Sequence, residues 1–442
     1  MGRTSRSAAD VLVGSYTNHM EHENRRTFLK AAGAAAALGF PALVEGQQAA
    51  NTIKVGLVGC GGRGTGAAKQ ALAADDYAQL TALADVFPDR IETALDQLQG
   101  SSGAKVKVDP KNQFVGLDSY QKLIASDVDV VLLATPPGFR PAHLRAAIEA
   151  GKHVFCEKPI AVDAPGVRHV LETAKMAKAK NLSLVAGFCW RYSNFVRATF
   201  EQLHSGAIGD LVAYYGTYYT SPVKPMPPAS ARPEGMSDVE WQIKNWYNFQ
   251  WLCGDSLVEQ AVHTADKIAW AMHDQPPASC VAVGGRQIPA EGGNIYDHFE
   301  VNYVYPNDVR AFLGCRQIDN CWNENADYIT GTKGVCIIGR GPLPRITGEK
   351  TWTFEGQKND MYQYEHDVLF ASIRQNKPIN DGERMAYSTL LAMMGRMAAY
   401  TGQQVTWEQA LNSQEKIFPE KLEWSGKLDV PPLPRPGVTK LF

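Results

Sequence analysis

The chain has 442 residues, of which 45% are hydrophobic and 20% are charged, and its formal net charge at pH 7 is −2. This composition is typical of globular proteins. Sequence-independent nucleic-acid binding requires a strongly basic surface, and the near-neutral net charge argues against it. The length predicts two or three domains. The 8 cysteines include no C-x-x-C pair, which argues against a zinc ribbon, an iron–sulfur site or a disulfide scaffold.

The N-terminal segment has the pattern of an export signal. Residues 24–30 carry paired arginines, and an alanine-rich run without charge follows over residues 31–44. This run is too short to span a bilayer, so we expect no stable membrane insertion. Paired arginines ahead of a weakly apolar stretch resemble a twin-arginine signal, which predicts a signal region over residues 1–50 and a periplasmic protein. A short buried helix of the mature fold is the alternative.

A predicted parallel strand over residues 53–58 leads directly into a glycine-rich turn. Gly59, Gly61 and Gly64 fit the pattern G-x-G-x-x-G. The first glycine permits a tight turn, the second lets the backbone approach a pyrophosphate, and the third allows close packing of helix on strand. The phosphate would lie at the N-terminus of the following helix. Glycines that serve only as a turn are the alternative.

A carboxylate ends the second predicted strand, residues 80–85. Asp85 can accept both ribose hydroxyls and would repel a 2′-phosphate, so the sequence favours NAD over NADP, although Arg63 and Arg90 act against that preference. Strands and helices keep alternating as far as residue 188, which predicts a doubly wound α/β domain. Ligands gather at the strand ends of such sheets. The candidate cofactor residues there are Gly59, Gly61, Gly62, Arg63, Gly64, Asp85, Arg90, Thr135, Pro136 and Glu157.

The segment over residues 150–159 reads Ala-Gly-Lys-His-Val-Phe-Cys-Glu-Lys-Pro, in register with the glycine turn and Asp85. With these motifs the sequence resembles the glucose–fructose oxidoreductase/inositol dehydrogenase family, Gfo/Idh/MocA, over residues 53–411. The resemblance implies an N-terminal Rossmann domain and a C-terminal α/β domain with an open, mostly antiparallel sheet. The implied boundaries are 51–188 for the first domain, 189–415 for the second and 416–442 for a tail. A homo-oligomer, dimer or tetramer, is also implied.

The same resemblance places Lys158 beside the nicotinamide. There its ammonium group can exchange a proton with a reacting hydroxyl. The Lys158–Pro159 peptide bond is commonly cis in the family, and the sequence permits this. A surface lysine in a turn is the alternative reading of the residue.

A second family motif is a carboxylate and a histidine four residues apart on one helix. Glu259 and His263 match it, and with Asp266 they share the polar face of a helix predicted over residues 254–266. That face is either solvated or catalytic, and the resemblance favours catalysis, with His263 exchanging a proton near neutral pH. Glu259 replaces the aspartate of many relatives, so it either touches substrate or orients His263. No third ligand accompanies the pair, and we predict no metal.

Aromatic and polar residues of the C-terminal half supply substrate candidates. Arg191 resembles an arginine that often lies near the cofactor. The loop over residues 220–251, rich in proline and aromatic residues, is either a platform for sugar rings or a dimer interface. Strand-like alternation appears over residues 211–219, 297–305 and 309–318. The candidate substrate residues are Trp190, Tyr192, Trp246, Tyr296, His298 and Arg316.

The preferred reaction is hydride transfer from a carbohydrate CH–OH group to tightly bound NAD, while Lys158 or His263 removes the hydroxyl proton. The resemblance to exported relatives extends to formation of 3-keto-glycosides. Three alternatives stay open: a two-sugar oxidoreductase of the glucose–fructose type, an NAD-dependent glycosidase, and a non-catalytic sugar-binding module. The glycosidase branch usually lacks Glu-Lys-Pro, so Lys158 argues against it.

Overall fold

Two β-sheets organise this protein, whose computed structural model describes residues 51–288, 292–341 and 343–440. Residues Thr52–Phe442 form one unit. The signal predicted over residues 1–50 lies outside the described residues. None of the described helices is long and apolar enough to cross a membrane.

The first sheet has six parallel strands in the order β3-β2-β1-β4-β5-β6, with helices between them. Its strands are β1 (Ile53–Val58), β2 (Ala78–Asp85), β3 (Gln113–Val115), β4 (Val130–Leu133), β5 (His153–Cys156) and β6 (Leu184–Ala186). Its helices are α1 (Gly62–Ala74), α2 (Pro88–Ser102), α3 (Ser119–Ala125), α4 (Arg140–Glu149) and α5 (Ala164–Ala179). Val55 and Leu57 of β1 are fully buried, as expected for a strand covered on both faces. The predicted doubly wound domain is confirmed.

The second sheet has nine strands in the order β14-β13-β12-β11-β7-β10-β9-β8-β15. They are β7 (Leu211–Thr220), β8 (Ser279–Gly285), β9 (His298–Val304), β10 (Arg310–Gln317), β11 (Glu324–Gly331), β12 (Gly334–Ile338), β13 (Arg345–Gly348), β14 (Trp352–Thr353) and β15 (Val405–Thr406). Only β7 and β10 pair in parallel, so the predicted open, mostly antiparallel sheet is confirmed.

The C-terminal half also supplies helices. They are α6 (Asn194–His204), α7 (Asp238–Lys244), α8 (Gln250–Cys253), α9 (Ser256–Glu259), α10 (Val262–Ala271), α11 (Met361–Arg374), α12 (Gly382–Thr401) and α13 (Trp407–Asn412). Of these, α9, α10 and α12 pack against the second sheet, whereas α11 packs against α1 of the first domain. The long helix α12 is buried along most of its length and packs against α5 of the first domain and β8 of the second sheet. It therefore joins the two sheets into one core.

The segment over residues 220–251 is not the plain loop that the sequence predicts. It contains α7, and Trp241 and Trp251 are buried in a hydrophobic cluster with Phe418 and Trp424 of the C-terminal tail. Burial of these rings offsets the cost of ordering a long connection. Most of the aromatic rings that we considered for a sugar platform or a dimer interface are thus core residues, although Trp246 keeps a partly exposed position.

Candidate active site

A glycine turn joins β1 to α1 at the carboxyl edge of the parallel sheet. Gly59 has a φ angle of 96°, and a Cβ atom there would lie 2.7 Å from the backbone of Ala134. A Cβ atom on Gly64 would lie 1.9 Å from the Gly59 carbonyl oxygen, so α1 can approach β1 only with glycine at this position. Gly61 and Gly62 face open space. The turn is therefore tight on its inner side and open on its outer side.

A cavity of about 410 Å³ lies beside this turn. The predicted cofactor residues that line it are Gly59, Gly61, Gly62, Arg63, Gly64, Asp85, Arg90, Thr135 and Pro136. The C-terminal half contributes Lys224, Ile243, Lys244 and Trp246 to the opposite wall. The helix α1 begins at the cavity with no side-chain cap and no acidic residue in its first turn. Its N-terminal N–H groups and its dipole therefore suit an anion.

Asp85, at the end of β2, holds the glycine turn in place. Its carboxylate accepts hydrogen bonds from the backbone N–H groups of Cys60, at 2.7 Å, and Phe87, at 3.0 Å. Burial raises the pKa of Asp85, while these N–H groups and the charge of Arg90 act in the opposite direction. Part of the hydrogen-bonding capacity of this carboxylate is thus used by the protein itself.

Arg63, a predicted cofactor residue, is held by side chains behind the turn. Its Nε atom lies 2.7 Å from the buried carboxylate of Glu157, and one of its terminal nitrogens donates to Gln70 at 2.7 Å. Its guanidinium carbon lies 5.1 Å from the centre of the Tyr362 ring. Glu157 lies outside the cavity lining, where its partner is Arg63.

Lys158 follows β5 directly, and its peptide bond to Pro159 is cis. The buried Arg140 donates hydrogen bonds to the carbonyl oxygens of Thr135, at 2.8 Å, and Pro159. Because Thr135 follows β4, this guanidinium fixes the ends of two neighbouring strands relative to each other. Lys158 is therefore presented from a rigid part of the sheet edge.

The Lys158 ammonium group reaches the C-terminal half of the chain. Its Nζ atom donates to the backbone carbonyl of Glu259 at 2.6 Å and lies 3.2 Å from the Glu259 carboxylate. The other carboxylate oxygen accepts a hydrogen bond from Gln260 at 2.7 Å, and the Tyr218 hydroxyl donates to the Gln260 side chain at 2.6 Å. Sequence reasoning missed Gln260 and Tyr218. The inward alternation of β7 was the available signal for Tyr218.

The helix predicted over residues 254–266 is interrupted in the structure. One short helix, α9, ends at Glu259, and α10 begins at Val262. In a continuous helix the Glu259 carbonyl would accept the N–H of His263. Here that carbonyl binds Lys158, and the His263 N–H donates to Gln260 at 3.3 Å. The polar side chains of Glu259, His263 and Asp266 are all buried, so the alternative of a solvated face is wrong.

His263 has an imidazole that the surrounding protein keeps neutral. Burial lowers its pKa well below the ordinary value, and the charges of Lys158 and Lys267 lower it further. Its Nδ1 atom is buried and has no hydrogen-bond partner in the described part of the chain. The predicted proton exchange near neutral pH is therefore one-sided: the ring rests in its neutral form, and the imidazolium form that would return a proton is disfavoured.

Residues 53–186 match the family model GFO_IDH_MocA, described as an oxidoreductase family with an NAD-binding Rossmann fold. The Rossmann domain of this chain belongs to the Gfo/Idh/MocA oxidoreductase family. An uncharacterized oxidoreductase of Streptococcus pneumoniae is 29% identical over 70% of this chain and 76% of its own length. Inositol 2-dehydrogenase of Rhizobium meliloti is 32% identical over 36% of this chain and 43% of its own length.

The solved structures extend the likeness in fold to the second sheet. Levoglucosan dehydrogenase, in complex with NADH and L-sorbose, superposes with a TM-score of 0.65 at 18% identity and covers 81% of this chain and 100% of its own. The family model that matches the Rossmann domain describes NAD binding, and NAD is the cofactor. The cavity fits a dinucleotide, because Gly61 and Gly62 leave open space where a side chain would block a pyrophosphate.

Three predicted residues after β6 have other partners in this oxidoreductase. Arg191 forms ion pairs with Asp266, at 2.9 Å, and Asp274, at 2.6 Å, and lies outside the lining of the dinucleotide cavity. The Tyr192 hydroxyl donates to Asp381 at 2.7 Å. The ring of Trp190 lies 5.3 Å from the Lys267 ammonium group. These contacts join α10, α12 and the end of the Rossmann domain.

The predicted substrate residues of the second sheet do not lie together. Tyr296 is buried, and its hydroxyl donates to the carbonyl of Pro434 at 2.7 Å. His298 and Arg316 pair across β9 and β10 on the face opposite to that of Cys315 and Phe299, which are buried in the core. The sheet therefore separates these two side chains from Lys158. The prediction that His298 and Arg316 bind substrate beside Lys158 is therefore wrong.

A cavity residue that sequence reasoning missed is His143. Its ring stacks on Tyr120 with centroids 3.9 Å apart, and its Nδ1 atom lies 3.2 Å from the Thr135 hydroxyl. Burial and the charge of Arg140 lower the pKa of His143 to about 3. Over residues 51–288, 292–341 and 343–440, no cluster of three or more His, Cys, Asp or Glu side chains is arranged to hold a metal ion.

Proposed function

We propose that this protein is an NAD-dependent dehydrogenase that oxidises a CH–OH group of a sugar or glycoside. The observation that carries the proposal is the Lys158 ammonium group, which Glu259 holds at the same sheet edge as the glycine turn. The family description supports the cofactor and the reaction class. The name of the inositol 2-dehydrogenase relative supports a substrate with many hydroxyl groups.

Three side chains act on the substrate hydroxyl in this mechanism. Lys158 donates a hydrogen bond to the hydroxyl oxygen and stabilises the negative charge that develops as the proton leaves. The imidazole of His263, which is neutral, accepts that proton. Glu259 orients the Lys158 ammonium group. NAD, when bound, supplies the oxidising power by accepting the hydride.

The polar side chains around Glu259 favour a carbohydrate over a simple alcohol. They include the hydroxyl of Tyr218 and the amide of Gln260, and nearby the Gln317 amide donates to the Tyr247 hydroxyl at 2.9 Å. Hydroxyl and amide groups both donate and accept hydrogen bonds, as sugar hydroxyls require. We infer a glycoside as substrate and a 3-keto-glycoside as product, with the cofactor retained between turnovers.

The experiment follows the near-ultraviolet absorbance of bound nicotinamide after a simple glucoside is added to purified protein. We expect an increase in absorbance for the unchanged protein and for Lys54→Ala, which removes only an exposed ion pair with Asp127. The increase should be lost in Lys158→Met. Mass spectrometry of the sugar should then show the loss of two hydrogen atoms.

Two outcomes would overturn the proposal. One is an unchanged absorbance with glucosides, free sugars and inositols while the protein holds oxidised nucleotide. The other is an unchanged rate in Lys158→Met, which would remove the lysine from the reaction.

We also propose that the protein is exported to the periplasm by the twin-arginine route. The paired arginines Arg25 and Arg26 and the uncharged run that follows support this. Replacing both arginines with lysine should leave the folded protein in the cytoplasmic fraction. Export of that variant at the normal level would contradict the proposal.

We propose a homo-oligomer that uses the outer face of the second sheet. Val281 and Val283 of β8 are exposed on that face, at 43% and 69% of their maximal areas. Light scattering should give a mass that is two or four times the mass of one chain. Replacing Val283 with glutamate should lower it, whereas a monomer at all concentrations would contradict the proposal.

A further inference from the structure

The C-terminal tail, residues 416–440, packs against one side of the dinucleotide cavity. The Phe418 ring meets Phe139 edge to face with centroids 5.4 Å apart, and the Trp424 ring meets Phe87 in the same way at 5.4 Å. Phe87 and Phe139 belong to the Rossmann domain and line the cavity. The tail is therefore in direct contact with residues that form the surface of the cofactor site.

A glycine permits this contact. A Cβ atom on Gly138 would lie 2.2 Å from the carbonyl oxygen of Trp251 and 3.0 Å from the Phe418 ring. The rings of Trp251 and Phe418 also meet edge to face, with centroids 5.5 Å apart. A larger residue at position 138 would push both rings away from the turn that carries Phe139.

The tail also holds the opposite side of the cavity. Helix α7 carries Ile243 and Lys244, which line that side. The Gln242 side chain donates a hydrogen bond to the carbonyl oxygen of Leu428 at 2.6 Å. The Asp238 carboxylate accepts the N–H group of Leu428 at 3.2 Å. Both backbone groups of one tail residue are thus bound to the helix that forms this side.

An anchor on the Rossmann domain fixes the beginning of the tail. The buried Asp163 carboxylate, just before α5, accepts the N–H groups of Ile417 at 2.9 Å and Phe418 at 3.4 Å. Its other oxygen accepts the N–H group of Gly166 in the first turn of α5. The tail is therefore bound to the cofactor domain at residues 417 and 418 and to α7 at residue 428.

Apolar side chains fill the space between these two attachments. One hydrophobic cluster contains tail residues and cavity-lining residues together; they include Ile417, Phe418, Leu422, Trp424 and Leu428 of the tail and Phe87, Phe139 and Ile243 of the cavity. Separation of the two sides of the cavity would expose these side chains to water, at a cost proportional to their apolar area. The closed arrangement is therefore favoured.

We propose that the tail controls the release of nucleotide from the cavity. The nucleotide leaves when the tail separates from Phe87, Phe139 and α7, and the rate of this opening sets the rate of release. The inference rests on the proposed retention of the cofactor between turnovers and names its structural cause. It does not depend on the carbohydrate that the protein oxidises.

The test measures the dissociation of NADH from the full-length protein. Protein equilibrated with NADH is mixed with an excess of NAD, and the fluorescence of bound NADH is followed. The variant is Phe418→Ala with Trp424→Ala. The first matched control is Trp322→Ala, which removes an exposed ring from the second sheet. The second is Phe200→Ala, which removes a buried ring that stacks on Trp270 with centroids 4.0 Å apart.

We expect the double variant to release NADH about tenfold faster or more, because the contacts that resist opening are lost. Both controls should release NADH within about twofold of the unchanged protein, since their positions share no partner with the tail. The Phe200→Ala control should melt at a lower temperature, and it thus separates loss of stability from loss of the tail contacts.

A second measurement uses the unchanged protein and does not depend on the folding of any variant. If nucleotide release requires the tail to open, bound nucleotide must oppose that opening by the same free energy. The N–H groups of Ile417 and Leu428 should therefore exchange with solvent deuterium about tenfold more slowly, or slower still, when saturating NADH is present.

Three results would overturn the proposal. One is an equal dissociation rate in the double variant and the unchanged protein. Another is an increase in Phe200→Ala as large as that in the double variant, which would assign release to general stability. The third is the same exchange rate of the tail with and without NADH. None of these measurements needs a sugar, so a failure of the proposed sugar oxidation would leave them intact.

Discussion

Two buried lysine–carboxylate pairs in this molecule have the same charges but different surroundings. Lys267 and Asp327 lie beneath the second sheet with side-chain exposures of 3% and 0%, and the Tyr214 hydroxyl also donates to Asp327 at 2.8 Å. Lys158 and Glu259 in the candidate active site keep exposures of 11% and 7%. The first pair is sealed by the protein, whereas the second keeps access to a ligand.

The difference shows that the charge pair alone does not mark the active site. Lys267 and Asp327 connect α10 to β11, and removal of either would leave a buried charge without a partner. Lys158 shares its ammonium group between a carbonyl and a carboxylate. Beside it, the Nδ1 atom of His263 has no hydrogen-bond partner within the described parts of the chain. An opening and an unpaired polar atom distinguish the reactive pair from the structural one.

The largest expected effect is on activity. Lys158→Met should lower the rate of sugar oxidation by a factor of about 10²–10⁴, because the variant loses the group that stabilises the oxyanion. Its melting temperature should decrease less than that of Lys267→Met. Steady-state rates and thermal unfolding of both variants test this contrast, and similar activity in the two would remove the distinction between the pairs.

The next effect is on stability. Lys267→Met should lower the free energy of unfolding by about 3–5 kcal/mol, since Asp327 would stay buried without its cation. Urea unfolding measures this loss. The double variant Lys267→Met with Asp327→Asn should recover part of it, because the uncompensated charge is gone. A single variant as stable as the unchanged protein would show that the pair is dispensable.

A smaller effect separates charge from hydrogen bonding at Glu259. Glu259→Gln keeps an oxygen for Lys158 but removes the charge, so we expect a decrease of about tenfold in the turnover rate and little change in sugar affinity. Glu259→Asp should retain more activity than Glu259→Gln. A rate in Glu259→Gln equal to that of the unchanged protein would show that only the geometry of this side chain matters.

At neutral pH the smallest effect on activity is expected at His366, whose role is a pH dependence of stability. Burial lowers the pKa of His366 to about 3, and its ring packs 4.2 Å from the centre of Phe155. Between pH 6.5 and 3 the unfolded chain binds a proton that the folded chain does not. Stability should therefore fall as pH falls through this window, by about 1.4 kcal/mol per pH unit for this residue.

His366→Phe should make the loss of stability in acid less steep, because the variant lacks the titrating ring. Among the described residues, neither ring nitrogen of His366 has a hydrogen-bond partner that the variant would lose. Sugar oxidation at neutral pH should be unchanged in this variant, whereas His263→Phe should lower it. Urea unfolding at pH 7 and pH 5 tests the first point. An identical slope in the variant would mean that other histidines, such as His143, dominate the acid response.

Much of the cofactor site could be predicted from the sequence. The glycine turn depends on steric requirements of Gly59 and Gly64, which are local in the chain and visible in their spacing. The position of Lys158 followed from the motif at the end of β5. The Lys224 and Lys244 wall could not be predicted, because its residues are more than 100 positions from the glycine turn and carry no local pattern of their own.

The sequence by itself determined the alternation of strands and helices, the tight turn and the identity of the residues at the strand ends, because these depend on neighbouring residues and on burial periodicity. The tertiary structure decided which charges meet. Glu259 is bound to Lys158, and this bond takes the carbonyl that would have continued the helix. The strand register placed His298 and Arg316 on the far face of the second sheet. Contacts between distant residues depend on how whole elements pack, and that information is not local to any motif.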